Sequence, residues 1–437
     1  MPTEASVVAA TLLRRPLLIG SSSKTGVSVG ARFLALRQRR YERSPPPARP
    51  ESRREEAPLS MGPREGQERH RWRGLLLSQT NIHCQGGVIM SCRCFIIPDD
   101  VLTRFAADPE LADELRQSLH HTAELSRRLR AVRDQNALLT LSALTLPFPR
   151  PAIPIPVPHV LPPGQVFNCH TGTTLPGTPV ANPGSSADAT VKRAYVEEET
   201  VAKFYWDVFK RDSIDGHHMT LISSVHYAVK FNNAFWNGSQ MTYGDGDGQV
   251  FIDFTLGDDV IGHELTHGVT QHSLALSYSG EAGGLNESMS DVFGSMFRQW
   301  EKKQDVKNAD WLIGHDIMGP VSKQKGYTCL RNMANPKDPH ALAAQPDHYY
   351  PGIGNLDPHY SSGPPNLAFE KAAAAIGGHS WEKAGQIWYK ALTGFGPSPS
   401  MTMPQFAART RSLSSSMYPS DASIHTAINS AWAAVGL

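Results

Sequence analysis

"DDVIGHELTHGVTQHS", residues 258–273, decides how the rest of the chain is read. It carries His263 and His267 four residues apart, with Glu264 directly after the first. On a helix four residues turn about 400°, so both imidazoles stand on one face a turn apart, as two ligands of one metal must. Glu264 is rotated by about 100° from His263, so it stands beside the metal and can accept a proton from its water instead of ligating. An ordinary helix can carry the same three residues by chance, so the neighbours must decide. A site completed by a third histidine downstream would need glycine at 270 and histidine at 273, where this chain has Thr and Ser. His272 lies nine residues from His263, on the opposite helix face, and is expected to be a solvated surface histidine.

The third ligand is supplied by "GLNESMSDVFG", residues 284–294. Glu287 completes a two-histidine, one-carboxylate set and leaves a fourth position open, as catalytic zinc requires. Asp291 follows one helical turn later on the same face and can fix the tautomer of one ligand histidine; Asn286 can do the same for the other. Without the upstream histidines these residues would read as a solvated helix face. Structural zinc is disfavoured, because such sites close with four protein ligands and three are evident.

The whole chain of 437 residues is 40% hydrophobic with a net charge of +1, enough for a sizeable core and no argument for nucleic acid or an anionic membrane surface. No apolar run reaches the roughly 18 residues of a membrane span, and the first residues lack the pattern of a secretory signal. Five cysteines, odd in number and unevenly spaced, argue against a disulfide framework. Residues 1–89 are rich in Arg, Ser and Pro, lack Asp, and are expected to be disordered, with Met90 a candidate natural start. Residues 90–146 hold a small helical module with Leu115, Leu119, Leu125 and Leu129 at helical spacing. A proline-rich spacer covers 147–164. Strand-like runs such as "LISSVHYAVKF" and "QMTYGDGDGQVFIDF" fill 165–257, with "DGDG" read as a hairpin turn. After the metal-binding helix, 258–273, helical patterns dominate 274–437. The fold class is α+β, with a sheet-rich front lobe and a helical back lobe.

At this point the sequence resembles the thermolysin family of neutral metalloproteases. "TLPGTPV", "RDSIDG", "NNAFWNGSQMTYGDGDG", "GHELTHGVTQHS", "GLNESMSDVFG" and "PNLAF" stand in family order and spacing, from 174 to the end of the chain. "CRCFIIP", residues 92–98, is similar to the start of the short propeptide of protealysin-type precursors. The resemblance implies that His263, His267 and Glu287 hold zinc, that Glu264 is the general base, and that Tyr278 and His359 stabilise the oxyanion. It makes "NNAFW" an edge strand pairing with extended substrate, through the Asn233 side chain and the Ala234 carbonyl. Arg331 would bind the carbonyl on the leaving-group side, and Phe251, Phe254, Val260, Ile313 and Leu330 would line the pocket for a bulky side chain after the scissile bond. The activity implied is endopeptidase cleavage of peptides and proteins on the amino side of large apolar residues, by a monomer made as a latent precursor. Cys92 or Cys94 could place a thiolate on the zinc and silence it through the propeptide. The family leans towards export and the missing signal towards synthesis inside the cell.

Three positions depart from the family pattern. The family usually has an aspartate five residues before the oxyanion histidine, where this chain has Gly354; Asp357 is the substitute at hand. Its paired calcium site uses carboxylates where this chain has Arg298 and His315. Asp259 survives and Asp316 is close by, but Arg298 would repel a dication, so a double calcium site is expected to be lost. These departures are the only support for the rival reading, a catalytically inactive zinc-binding or partner-binding homologue. Its signature would be loss of Glu264, which is present.

Overall fold

The computed structural model describes residues 94–140 and 163–437, with the helical backbone alone for 132–140. The expectations for residues 1–89, for Cys92 and for the spacer up to 162 lie outside the described residues. The described chain opens with strand β1 (Cys94–Phe95) and helices α1 (Asp99–Ala106) and α2 (Asp113–Thr140). Next come β2 (Gln165–Asn168), β3 (Thr178–Pro179), α3 (Ala189–Phe209), β4 (Ile222–Val225), β5 (Ala234–Trp236) and β6 (Met241–Tyr243). Helix α4 (Asp258–Gln271) leads into α5 (Gly280–Glu301), β7 (Leu312–Ile313), α6 (Pro320–Gln324), β8 (Arg331–Asn332) and α7 (Pro358–Ser361). Four further helices close the chain: α8 (Gly363–Ile376), α9 (Lys383–Thr393), α10 (Met403–Met417) and α11 (Ala422–Ala434). None of the described helices is long and apolar enough to cross a membrane.

The main sheet runs β1-β5-β6-β4-β2-β3. Strands β4 to β6 and β2 to β4 pair in parallel, while β5 meets β6 and β1 antiparallel. The edge beside β5 is thus taken by β1, from the segment read as propeptide. Helix α2 seals that edge. Its Leu125 and Leu129 rest on a small cluster of Phe95, Tyr227, Phe231 and Phe235, and burying one such ring is worth about 1.5–3 kcal/mol.

The sheet-rich lobe also contains a 21-residue helix, α3, that the sequence reading did not single out. Its start is set by Asp188, whose carboxylate accepts from the Thr190 and Val191 amides, and its end by Lys210 in the left-handed conformation. The hairpin expected at "DGDG" is absent: β6 stops at Tyr243, and beyond the turn only Phe251 forms a bridge, to Met318. Asp247 instead ties down its own loop by accepting from the Gln249 and Val250 amides.

Helix α4 is buried from Asp258 to Thr270, as a helix crossing the middle of a molecule must be. It crosses α5 closely, and glycine makes that possible. A Cβ on Gly294 would stand 2.5 Å from the Asp259 carbonyl oxygen and 2.9 Å from the His263 amide. The back lobe is closed by helices around stacked Trp388 and Trp432, whose ring centroids lie 5.8 Å apart.

Candidate active site

The α4–α5 crossing sets Glu287 against the two histidines. Among the described residues, His263, His267 and Glu287 form a buried group with ligand atoms all within 4.8 Å of one another. The two imidazole Nε2 atoms are 3.1 Å apart, and the Glu287 carboxylate oxygens lie 3.6 Å from His263 Nε2 and 3.5 Å from His267 Nε2. Donors about 2.0–2.1 Å from a tetrahedral zinc stand about 3.3 Å apart, so the spacing fits. The orientation fits as well. His263 Nδ1 donates to Asp291 (2.8 Å) and His267 Nδ1 to Asn286 (2.8 Å), which turns both Nε2 lone pairs inward. Burial, helped by His263, outweighs Glu287 and draws His267 down to about 3, leaving its Nε2 unprotonated at neutral pH. Glu287 Oε2 is buried without a hydrogen-bond partner. Two lone pairs at 3.1 Å and an orphaned carboxylate oxygen are what a cation at their centre would satisfy.

Glu264 lies beside this group. Its Oε2 accepts from the Trp236 amide at 2.9 Å, and its Oε1 is buried without a partner. Arg331, fully buried, grips Asp291 bidentately at 2.7 and 2.8 Å, and Asn366 donates to the same carboxylate at 2.8 Å. On the other side, Tyr278 hydroxyl donates to Glu287 and stands 3.4 Å from His359 Nε2. The five pocket positions, Phe251, Phe254, Val260, Ile313 and Leu330, are all buried in the main hydrophobic core, as are Ile96 and Ile97.

The sequence reading missed what fills the cleft. β1 lies antiparallel on β5, with Phe95 opposite Phe235 and Cys94 opposite Trp236. Ile96 N–H donates to the Ala234 carbonyl at 3.2 Å, and Arg331 donates to the Ile96 carbonyl at 3.2 Å. Asn233 accepts from Ile97 N–H at 3.0 Å and donates to the Ile97 carbonyl at 3.2 Å. His359 Nε2 meets the Phe95 carbonyl at 2.5 Å, and its Nδ1 meets Asp357 at 2.5 Å. Both ring nitrogens therefore face oxygen acceptors, and both carry protons. An apolar triplet before a proline, "FIIP", was the available signal.

Three expectations need correction. Cys94 is disulfide-bonded and sits in β1, so its sulfur is not a zinc-blocking thiolate, and main-chain carbonyls occupy the cleft instead. His272 is no solvated histidine: it ends α4 half-buried, with Nε2 buried and burial lowering its pKa. "NNAFW" is not an open edge here, because β1 covers it. The expected calcium position holds the protein's own cations. Arg298 donates at 2.5 Å to both Asp258 and Asp316, and Lys302 pairs with Asp258. His315 gives its Nδ1 to the Thr328 carbonyl, so these residues do not fit a calcium pair.

Comparison with known proteins agrees with this geometry. Residues 167–271 match the thermolysin metallopeptidase catalytic domain, and residues 275–437 its alpha-helical domain. An extracellular metalloprotease of Pectobacterium carotovorum subsp. carotovorum is 38% identical over 315 residues, covering 68% of this chain and 84% of the relative. Thermolysin of Alicyclobacillus acidocaldarius subsp. acidocaldarius is 36% identical over 280 residues, or 61% of this chain and 49% of that one. Among solved structures, the precursor of protealysin, a metalloproteinase from Serratia proteamaculans, superposes with a TM-score of 0.65 at 34% identity, covering 78% of this chain and 99% of that chain. With both peptidase domains matched in order and a propeptide-bearing precursor covered almost end to end, this chain belongs to the thermolysin family of metallopeptidases and is protealysin-like.

Proposed function

We propose that this metallopeptidase is a zinc-dependent endopeptidase that cuts on the amino side of bulky apolar residues, held latent by a propeptide lying in its cleft as a substrate would. The observation that carries the reading is the path of Phe95, Ile96 and Ile97. Their backbone groups meet His359, Ala234, Arg331 and Asn233 in turn, which supports reading the Phe95–Ile96 bond as the counterpart of a scissile bond. Ile96 is then the residue after that bond, and its apolar side chain is fully buried.

When bound, zinc supplies a polarising charge for the carbonyl and acidifies the attacking water. Glu264 Oε1 is the unpartnered acceptor for that water's proton, while the Trp236 amide holds the other oxygen. Glu264 then returns the proton to the leaving nitrogen. Tyr278 and His359 donate to the developing oxyanion, a contribution of roughly 3–4 kcal/mol per donor. Arg331 orients the carbonyl beyond the bond. Asn233 and Ala234 hold substrate backbone by strand pairing, which supplies affinity without demanding a sequence.

The test uses a quenched peptide with an internal Gly–Leu bond, the parent chain and its Glu264→Ala variant, before and after propeptide removal, with and without a zinc chelator. Expected is chelator-sensitive cleavage at that bond that rises on propeptide removal and falls roughly 10²–10⁴-fold in the variant. Equal rates before and after removal would sink the latency. No cleavage in any form, with one zinc bound per chain, would leave a zinc-binding homologue.

A further inference from the structure

Position 354, where the resemblance expects a carboxylate behind His359, has no room for a side chain. A Cβ on Gly354 would lie 2.6 Å from the Glu281 amide nitrogen and 2.9 Å from the Gly280 carbonyl carbon. Asp357 reaches the imidazole from the other direction. Its Oδ1 accepts from the His359 amide at 3.0 Å, which caps the four-residue helix α7, and also meets His359 Nδ1 at 2.5 Å. One carboxylate oxygen therefore fixes both the start of the helix and the rotation of the ring. The His359 backbone is held from the opposite side, its carbonyl accepting from Gln345 at 2.6 Å and Ser362 at 3.1 Å. The ring so held aims Nε2 at the Phe95 carbonyl, 2.5 Å away.

We infer that Asp357 is the positioning residue for His359, replacing a carboxylate this chain cannot accommodate at 354, and that oxyanion stabilisation depends on it. It touches neither substrate nor metal ligand; it acts through the imidazole. Losing the carboxylate frees the ring to rotate and leaves Nδ1 without its acceptor, while the cleft that binds peptide stays intact. The inference rests on the peptidase reading above.

Asp357→Ser keeps an oxygen that can cap α7 but is one atom too short to hold the ring, so it tests the ring contact and not the fold; Asp357→Asn keeps both acceptor contacts and is the conservative rescue. Two readouts are needed. The first is the hydrogen-bonded Nδ1 proton of His359 in the full zinc-loaded chain, identified by NMR through its loss in His359→Gln. The second is kcat and KM after the propeptide of the same preparation has been clipped. Expected is loss of the downfield Nδ1 proton in Asp357→Ser and its retention in Asp357→Asn, with kcat lower by about 10–100-fold and KM within about threefold in Asp357→Ser, because a donor to the oxyanion contributes chiefly in the transition state. A proton resonance that persists in Asp357→Ser overturns the inference, whatever the rates. So does a kcat within twofold of the parent once the resonance is gone. Should the parent itself cleave nothing, the peptidase reading fails, and the NMR readout still decides whether Asp357 holds the ring.

Discussion

Asp291 serves four donors with two oxygens. Oδ1 takes His263 Nδ1 and one Arg331 nitrogen, while Oδ2 takes the second Arg331 nitrogen and Asn366. Burial opposes its charge, yet Arg331 and His263 hold the carboxyl well below its ordinary range. Replacing it by Asn would leave Arg331 buried and uncompensated, a loss of about 3–5 kcal/mol. Because the same oxygen orients a ligand histidine, zinc affinity should fall as well, by roughly 10–100-fold. Urea unfolding and zinc competition against a chelator check the two separately, and an unchanged zinc affinity would free His263 from its dependence on Asp291. At this scale the sequence was informative wherever a role belongs to a side chain at helical spacing. Asp291 follows from Glu287 by helical spacing, and Glu287 from the need of His263 and His267 for a third ligand together with the family resemblance. The Trp236 amide on Glu264 does not, since a backbone N–H has no sequence signature. Nor does the role of Asn366 in "PNLAF", because its partner Asp291 is 75 residues away.

Long elements were legible and short ones were not. The helices of the back lobe carry an apolar period that survives inspection, whereas β1, with two residues, has no period to read. What makes Cys94–Phe95 a strand is β5 beside it, and what aligns the following isoleucines is Asn233. α3 is hard to read for another reason: it lies among strand-like runs, and its one start signal is the capping Asp188. The strand insertion makes a direct prediction. Ile96→Asp would force a carboxylate into an apolar cluster at a cost of a few kcal/mol, enough to open the cleft. The uncut chain should then cleave the quenched peptide about 100-fold faster than the uncut parent, with mass spectrometry confirming that the propeptide is still attached. A variant as silent as its parent would move latency away from β1 and onto α1 and the turn after it, whose Arg104 and Asp108 also reach the peptidase at the Leu342 carbonyl and Lys325.

Across the whole molecule, buried charge stitches distant elements together. Arg298 on α5 joins Asp258 at the start of α4 to Asp316 beyond β7. Arg298→Met should therefore cost about 3–5 kcal/mol in urea unfolding, while a calcium-selective chelator should leave the parent's midpoint unmoved. A second stitch responds to pH. His226 gives Nδ1 to Asp245 and Nε2 to Asp188, each at 2.9 Å, and Asp188 is also the cap of α3. Asp245, opposed by burial and joined by Asp188, raises His226 from 6.5 to about 9. A raised folded pKa means the imidazolium's contribution is complete below 6.5 and is lost as pH climbs from 6.5 to about 9. Asp188 works the other way: burial pushes it up, but His226 outweighs burial and lowers it, so its share is present above its ordinary 3.8 and lost as pH falls below that. The rise at His226 corresponds to roughly 3 kcal/mol unscreened, and about half of that at a site partly open to water. The urea midpoint of the parent should accordingly fall between pH 6.5 and 9, and His226→Gln should make that fall shallower, leaving the part carried below about pH 8 by Glu198, while lowering the midpoint at pH 6. Parent and variant declining in parallel over that interval would place the pH dependence on other groups and reduce the Asp188–His226–Asp245 bridge to a contact without net stabilisation.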